Sequence, residues 1–367
     1  MQTKLNIIPI CDWCSCPTPL IISGPCSAET GQQVLETAEA IAGIQQVGIF
    51  RAGIWKPRTR PGDFEGVGIK GLKWLCKARE KTGLKIAVEI GTVDHIKACF
   101  DHEIDILWIG ARTVANPFSI QEIAEVLENT DIPVMIKNPV NPDINLWIGA
   151  LERLNQSGIK KIIAIHRGFY SYSGQPYRNN PMWEIPIELK RILPNLPVIC
   201  DPSHICGNTN LIPDISQKAM DLGMEGLMIE VHIRPEQALT DIAQQLSPAQ
   251  LKTFLDNLVI RSNKDTNLLQ HGLEELRSEI DHTDAELLEI LSKRMQIIEK
   301  IGRYKKLHNI TAFQIKRWNE VRERFIRKGT LKGMDKEFLV NMLETIHKES
   351  IRRQSEIFKE IPGNDDQ

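Results

Sequence analysis

Neither sign of charge dominates this chain, and that absence excludes a first class of partner. Lys and Arg number 45 against 47 Asp and Glu, a formal net charge of −2, so no basic excess exists to collect nucleic-acid phosphates. Long apolar runs are also missing: none approaches the ~20 residues that span a bilayer, and no membrane contact is expected. The opening MQTKLNIIPICDW has too short an apolar core for a secretory leader and no small-residue cleavage site. Cysteine is sparse. Eight in 367 residues are too few for a disulfide scaffold, and a reducing cytoplasm is the expected compartment. Cys11, Cys14 and Cys16 are spaced Cys-x-x-Cys-x-Cys, but no second cluster completes a tetrahedral metal set, so ordinary thiols are expected there. What is present, 42% hydrophobic and 25% charged residues, is the composition of a globular protein of one large domain or two.

From Pro19 to about Ile260 the chain repeats short apolar runs: LIISGPC, GIFRAG, KIAVEI, ILWIG, PVMIKN, KIIAIHRG, PVICDPSH and GLMIEVH. They are rich in Val and Ile with little alternation, as expected of strands buried on both faces of a parallel sheet. Amphipathic stretches such as GLKWLCKAREKTG and IQEIAEVLEN lie between them. Eight such units predict an α/β fold of the (β/α)8 barrel kind. A doubly wound open sheet is the alternative, normally with fewer strands. After Arg261, RSNKDTNLLQHG reads as a polar linker and no strand-like run follows. Leu273 to about Leu307 reads as one helix ~50 Å long at 1.5 Å per residue. Leu276, Ile280, Leu287, Leu291, Ile298 and Ile301 supply its apolar stripe. A second helix is expected over QIKRWNEVRERFIRK and a third from Asp335 to Phe358. So small a unit cannot cover such a rod alone, and a homodimer through these helices follows as an expectation. The expected boundaries are a barrel in 1–262, a linker at 263–272, an all-α three-helix domain in 273–360 and a disordered tail at 361–367.

Barrels keep their reactive groups at the C-terminal ends of the strands. Those ends carry Cys26, Arg51, Glu89, Arg112, Lys137, Arg167, His204 and Glu230. Singly each has an ordinary explanation: His204 could cap a helix, and Cys26 could be a small buried hydrophobe. Collectively they do not, because buried charge without a partner is costly. Cys26, His204, Glu230 and, further along, Asp241 make a mixed sulfur, nitrogen and oxygen set suited to one divalent Mn, Fe, Co or Zn ion. Arg51, Lys56, Arg58, Arg112, Lys137 and Arg167 are cationic, several of them in the loop GIFRAGIWKPRTRPGDFEG, which holds no acid before Asp63. Such a ring implies a strongly anionic ligand with phosphate and carboxylate oxygens. An enzyme of phosphorylated acids is expected.

The motifs GPCS, RAGIWKPRT, IGAR, DPSH, and EVH followed by ALTD resemble 3-deoxy-D-arabino-heptulosonate 7-phosphate (DAHP) synthase of the compact type, over all of Pro19 to Ile260. KPRT is the most specific part, because the related 3-deoxy-octulosonate 8-phosphate synthases share the barrel but lack it. The resemblance implies condensation of phosphoenolpyruvate with erythrose 4-phosphate, releasing phosphate. It assigns Cys26, His204, Glu230 and Asp241 to the metal and Arg51, Lys56, Arg112, Lys137 and Arg167 to phosphoenolpyruvate. Arg58 and Thr59 go to the sugar phosphate, and Glu89 to proton or water handling. Two departures stand out: Arg60-Pro61-Gly62 follows KPRT in place of Ser-Pro-Tyr, and Asn138-Pro139 follows Lys137 in place of Arg-Gly.

In the tail, Arg294 and Lys305 are eleven positions apart, hence about 20° from one another around a helix. Arg277 lies about 260° round from Arg294 and faces elsewhere. Ser350 and Gln354 share a face as an i, i+4 pair. Taken with Gln314 and Arg317, this pattern resembles the all-helical chorismate mutase family from Leu273 to about Phe358. That family's first helix spans a dimer, so the resemblance implies that Arg277 serves the partner's site. It further implies that Arg294 and Arg317 clamp carboxylates, that Lys305 and Gln354 donate to the breaking ether oxygen, and that Gln314 and Ser350 assist. Trp318 stands where that family often has a carboxylate. The expected whole is a bifunctional enzyme, with prephenate or chorismate bound on the tail feeding back on the barrel, since little sequence precedes Pro19 to hold a regulatory domain. Two alternatives remain: a non-catalytic regulatory and dimerisation tail, and an octulosonate-phosphate synthase barrel.

Overall fold

The computed structural model describes residues 4–57, 62–172, 176–261 and 267–359, with side chains from 273 onward in the last stretch. The expectations for Arg58, Thr59 and residues 361–367 lie outside the described residues. The chain divides into two compact units, Met1–Asn263 and Lys264–Gln367.

In the first unit the apolar runs form β1 (Leu20–Gly24), β2 (Val47–Ala52), β3 (Lys85–Ile90), β4 (Ile106–Ile109), β5 (Val134–Lys137), β6 (Ile162–His166), β7 (Val198–Cys200) and β8 (Gly226–Glu230). All pair in parallel, in sequence order, and β8 closes on β1. The doubly wound sheet is thereby excluded. Every strand is nearly or fully buried, which accounts for the absence of alternation in their sequences.

Two apolar cores result. Ile22, Ile49, Ala87, Trp108, Met135, Ile165, Ile199 and Met228 pack together inside the barrel. Their strand neighbours, such as Ile21, Phe50, Val88, Leu107, Ile136 and Leu227, pack with the surrounding helices. Because side chains alternate along a strand, the residue two positions beyond each interior one faces inward again. From those eight interior residues this rule leads to Gly24, Arg51, Glu89, Gly110, Lys137, Arg167, Asp201 and Glu230. The polar mouth of the barrel is thus the next layer up from its apolar filling.

At the opposite, N-terminal side of the barrel the cysteine expectation fails. Cys14 and Cys16, expected as ordinary thiols, are joined in a disulfide, while Cys11 is free and exposed. The turn after the short 3-10 helix Ile10–Asp12 brings their Cα atoms to 5.2 Å, a normal span for such a bond.

The second unit is three helices: Asn267–Leu307, Ile315–Thr330 and Lys336–Lys359. The long helix begins inside the stretch expected as linker. NLLQHGLEEL holds one Gly and no Pro, so nothing in it halts a helix, and a single Gly costs only about 1 kcal/mol. Gly302 lets the third helix approach closely, for a Cβ there would lie 3.0 Å from Ile357 and 3.3 Å from Gln354. No helix among the described residues is long and apolar enough to cross a membrane.

Candidate active sites

The barrel mouth encloses a cavity of about 550 Å³ whose lining includes Arg51, Lys56, Glu89, Arg112, Lys137, Arg167, Arg178, His204 and Asp241. Arg51 is the most enclosed of its cations. Its guanidinium lies 4.7 Å above the Trp108 ring, and Nη2 sits 3.4 Å from Glu230 Oε1. Its Nε and Nη1 are buried and make no hydrogen bond among the described residues. Two buried donors without an acceptor are costly, and they call for an anion from outside the chain. Lys137 Nζ is held 2.8 Å from Asp201 Oδ2. Arg112 donates to the carbonyl of Pro57 at 2.8 Å, tying β4's end to the KP segment. Arg167 is fixed by Asn179 Oδ1 at 2.7 Å, and burial draws its pKa down to about 10, leaving it charged.

Beside the cations, Cys26, Glu230 and Asp241 place one donor atom each within 4.8 Å of the others. His204, the fourth expected ligand, lies at the edge of this group: Nε2 is 3.7 Å from Glu230 Oε1, and Nδ1 is 2.8 Å from Asp201. Glu230 Oε1 is buried and accepts no hydrogen bond among the described residues. A sulfur, two carboxylates, an adjoining imidazole and a buried acceptor lacking a donor together fit a divalent transition metal. The proton states follow from surroundings. Burial, then Glu230, pushes the Cys26 thiol up to about 12, and Lys56 Nζ lies 3.3 Å from its sulfur. Burial opposes ionisation of Asp241, but Arg178 and His204 outweigh it and hold this carboxyl below the usual range.

Three contributors were not anticipated from the sequence. Asp201 caps the short helix Pro202–Cys206 through the His204 amide and also meets the side chains of Lys137 and His204. Arg178 donates to Asp241 at 2.8 Å and to Gln244 at 2.7 Å. Asn138, one of the two departures after Lys137, donates to Gly168 O and accepts from the Arg167 amide, joining the ends of β5 and β6. The alternation rule would have found Asp201, two positions past Ile199; nothing local marked Arg178.

In the helical unit, Arg294 Nη1 donates to Ser350 Oγ at 2.7 Å, and Gln354 Nε2 to Ser350 O at 3.3 Å. Gln354 Oε1 is buried and has no hydrogen-bond partner among the described residues. Lys305 and Gln314 line a cavity of about 380 Å³ with Ile297, Lys300, Ile301, Tyr304 and Ile310, and Lys305 donates to Ala312 O at 2.7 Å. Burial lowers the pKa of both Arg294 and Lys305. Arg277 and Arg317 are not gathered with these residues; each is exposed and paired with an acid on its own helix, Glu274 and Glu320.

Comparison with known proteins agrees with both units. The sequence model of the DAHP synthetase I family matches residues 17–266, and that of chorismate mutase type II matches residues 276–355. Phospho-2-dehydro-3-deoxyheptonate aldolase of Thermotoga maritima is 34% identical over 238 residues, covering 65% of this chain and 68% of that protein. A 2-dehydro-3-deoxyphosphooctonate aldolase of Desulfotalea psychrophila is 27% identical over 265 residues, 65% of this chain and 88% of its own length. The crystal structure of the Thermotoga maritima DAHP synthase superposes with a TM-score of 0.59 at 30% identity, covering 65% of this chain and 67% of that one. With the first family model spanning the whole barrel, the chain belongs to the DAHP synthetase I family and carries a chorismate mutase type II domain after the barrel.

Proposed function

We propose that the barrel condenses phosphoenolpyruvate with erythrose 4-phosphate to DAHP and phosphate, and that the helical unit rearranges chorismate to prephenate. The observation that carries the first half is Arg51, buried with two nitrogens that have no hydrogen-bond partner among the described residues, in a ring of cations beside a sulfur and carboxylate cluster. Arg51, Lys56, Arg112, Lys137 and Arg167 hold the phosphate and carboxylate of phosphoenolpyruvate, and Arg58 and Thr59 receive the sugar phosphate. Holding two anions together against their repulsion is the main service of this site. Cys26, His204, Glu230 and Asp241 hold the metal, of the Mn, Fe, Co or Zn class, which when bound supplies Lewis acidity at the aldehyde oxygen. Asp201 orients Lys137 and His204. Glu89, at the end of β3 and lining the same cavity, handles a proton or water.

The mutase half needs charge stabilisation and no nucleophile. Lys305 and Gln354 donate to the ether oxygen as negative charge builds there. Arg294, Arg317 and the partner subunit's Arg277 clamp the carboxylates, while Gln314 and Ser350 contact substrate oxygens. A second copy is needed to bring in that arginine, and the exposed apolar residues Leu276, Ile280, Leu287, Leu288 and Ile290 of the long helix are the surface it covers. Prephenate or chorismate bound there lowers the condensation rate through the coupling of two sites.

Two variants test this reading. Lys137→Ala should abolish condensation and spare chorismate turnover, and Lys305→Ala the reverse. Chorismate loss no faster than in buffer would leave the tail only a regulatory and dimerisation role. Turnover with arabinose 5-phosphate alone would move the barrel to the octulosonate branch. A condensation rate unmoved by saturating prephenate would end the feedback part.

A further inference from the structure

His347 lies on the third helix three positions before Ser350 and seven before Gln354, so the three share one face. Its ring stacks on Trp318 of the second helix, with centroids 3.8 Å apart and planes at 21°. Phe313, in the turn before that helix, closes a second side at 5.8 Å. Arg294, the cation bonded to Ser350, is near enough to act on the imidazole: burial and then Arg294 hold its pKa below the ordinary value. A stacked ring has its face covered and its two nitrogens at the edge. Neither nitrogen makes a hydrogen bond within the described residues. Nothing in the proposed set of clamping cations uses this group.

We propose that His347 is a specificity-determining residue of the mutase site, its neutral imidazole hydrogen-bonding the uncharged ring hydroxyl of the substrate. This rests on the mutase reading above. The chemistry selects the hydroxyl. Carboxylates are served by Arg294, Arg317 and the partner subunit's Arg277, and the ether oxygen by Lys305 and Gln354, whereas an imidazole kept neutral beside an arginine offers one donor and one acceptor. A hydroxyl is the substrate group with both. Trp318 fixes the ring plane, and Phe313 limits its swing.

The test uses the full chain with chorismate and with its 4-deoxy analogue, which lacks that hydroxyl. The wild type should lose about tenfold to a hundredfold in kcat/KM on the analogue, because a site built to pair a hydroxyl is left unsatisfied without it. His347→Phe keeps the stack on Trp318 and removes the nitrogens. It should lose a similar factor on chorismate and nothing further on the analogue, while His347→Gln restores part of the loss and keeps the proposal testable should the phenylalanine variant fold poorly. Wild-type kcat/KM for His347→Phe on chorismate, or equal losses on both compounds, would reduce His347 to a packing role and overturn the proposal. No turnover by the wild type would be a different result: the mutase reading itself would fail, and this inference with it.

Discussion

Asp201 shows how one residue can escape a reading of the sequence and still organise a site. In DPSH the histidine draws attention as a ligand type, whereas an aspartate before Pro reads as a helix cap, which it also is. Only the inward register of β7 reveals it as a neighbour of Lys137 and His204. The residues read from strand ends, Arg51, Glu89, Lys137, Arg167 and Glu230, were legible because polar groups interrupt runs of Val and Ile. Arg178 was not, because it lies in a loop whose path no periodicity fixes. His166 makes a prediction at this scale. It is fully buried near Phe169 and Trp183, and burial and then Arg167 push its pKa down to about 3. The unfolded chain therefore takes up this proton first, near the ordinary value of 6.5. Folding stability should fall from this source by up to about 1.4 kcal/mol per pH unit as pH drops from 6.5 towards 3. Urea melts of His166→Leu at several pH values should show a flatter acid limb; an unchanged limb would contradict the neutral, buried state.

Elements were the best-read level. All the strands form where the apolar runs predicted, since burial on both faces leaves an unmistakable composition. Helix ends were read less well. The long helix starts at Asn267 rather than Leu273, as polar residues without Pro are compatible with both linker and helix. The end of β1 shows what closure of the barrel demands. Gly24 has φ +149°, and a Cβ there would stand 2.0 Å from the backbone oxygen of Arg51. Gly24→Ala must push β1 from β2 where Cys26 and Arg51 are displayed. We expect a loss on the order of 1–3 kcal/mol in barrel stability and of most condensation activity, with chorismate turnover retained. Thermal melts and the two assays check this, and a fully active alanine variant would refute the close-packing account.

For the whole molecule, sequence texture foretold an α/β barrel followed by an all-helical unit, because the hydrophobic period changes from strand-like runs to helical spacing after Arg261. The same spacing marked an apolar stripe on the long helix that so small a unit cannot cover alone. Leu276, Ile280, Leu288 and Ile290 are between 58 and 67% exposed in the single chain, an apolar area that favours covering. Sedimentation of the wild type should give a dimer or larger, and Leu288→Glu with Ile290→Glu should shift it towards monomer and cut mutase activity. A monomeric wild type with full mutase activity would exclude the shared site.

The carboxylate of Asp201, held between an ammonium on one flank and an imidazole on the other, makes the two sides of the barrel mouth answerable to each other. Under the proposed roles, a cation loaded beside His204 and an anion seated on Lys137 would both draw on the same oxygen, Asp201 Oδ2, so neither event would be private. Each must alter the other's dissociation constant by one common factor, and removing that carboxylate should make the two loading events independent.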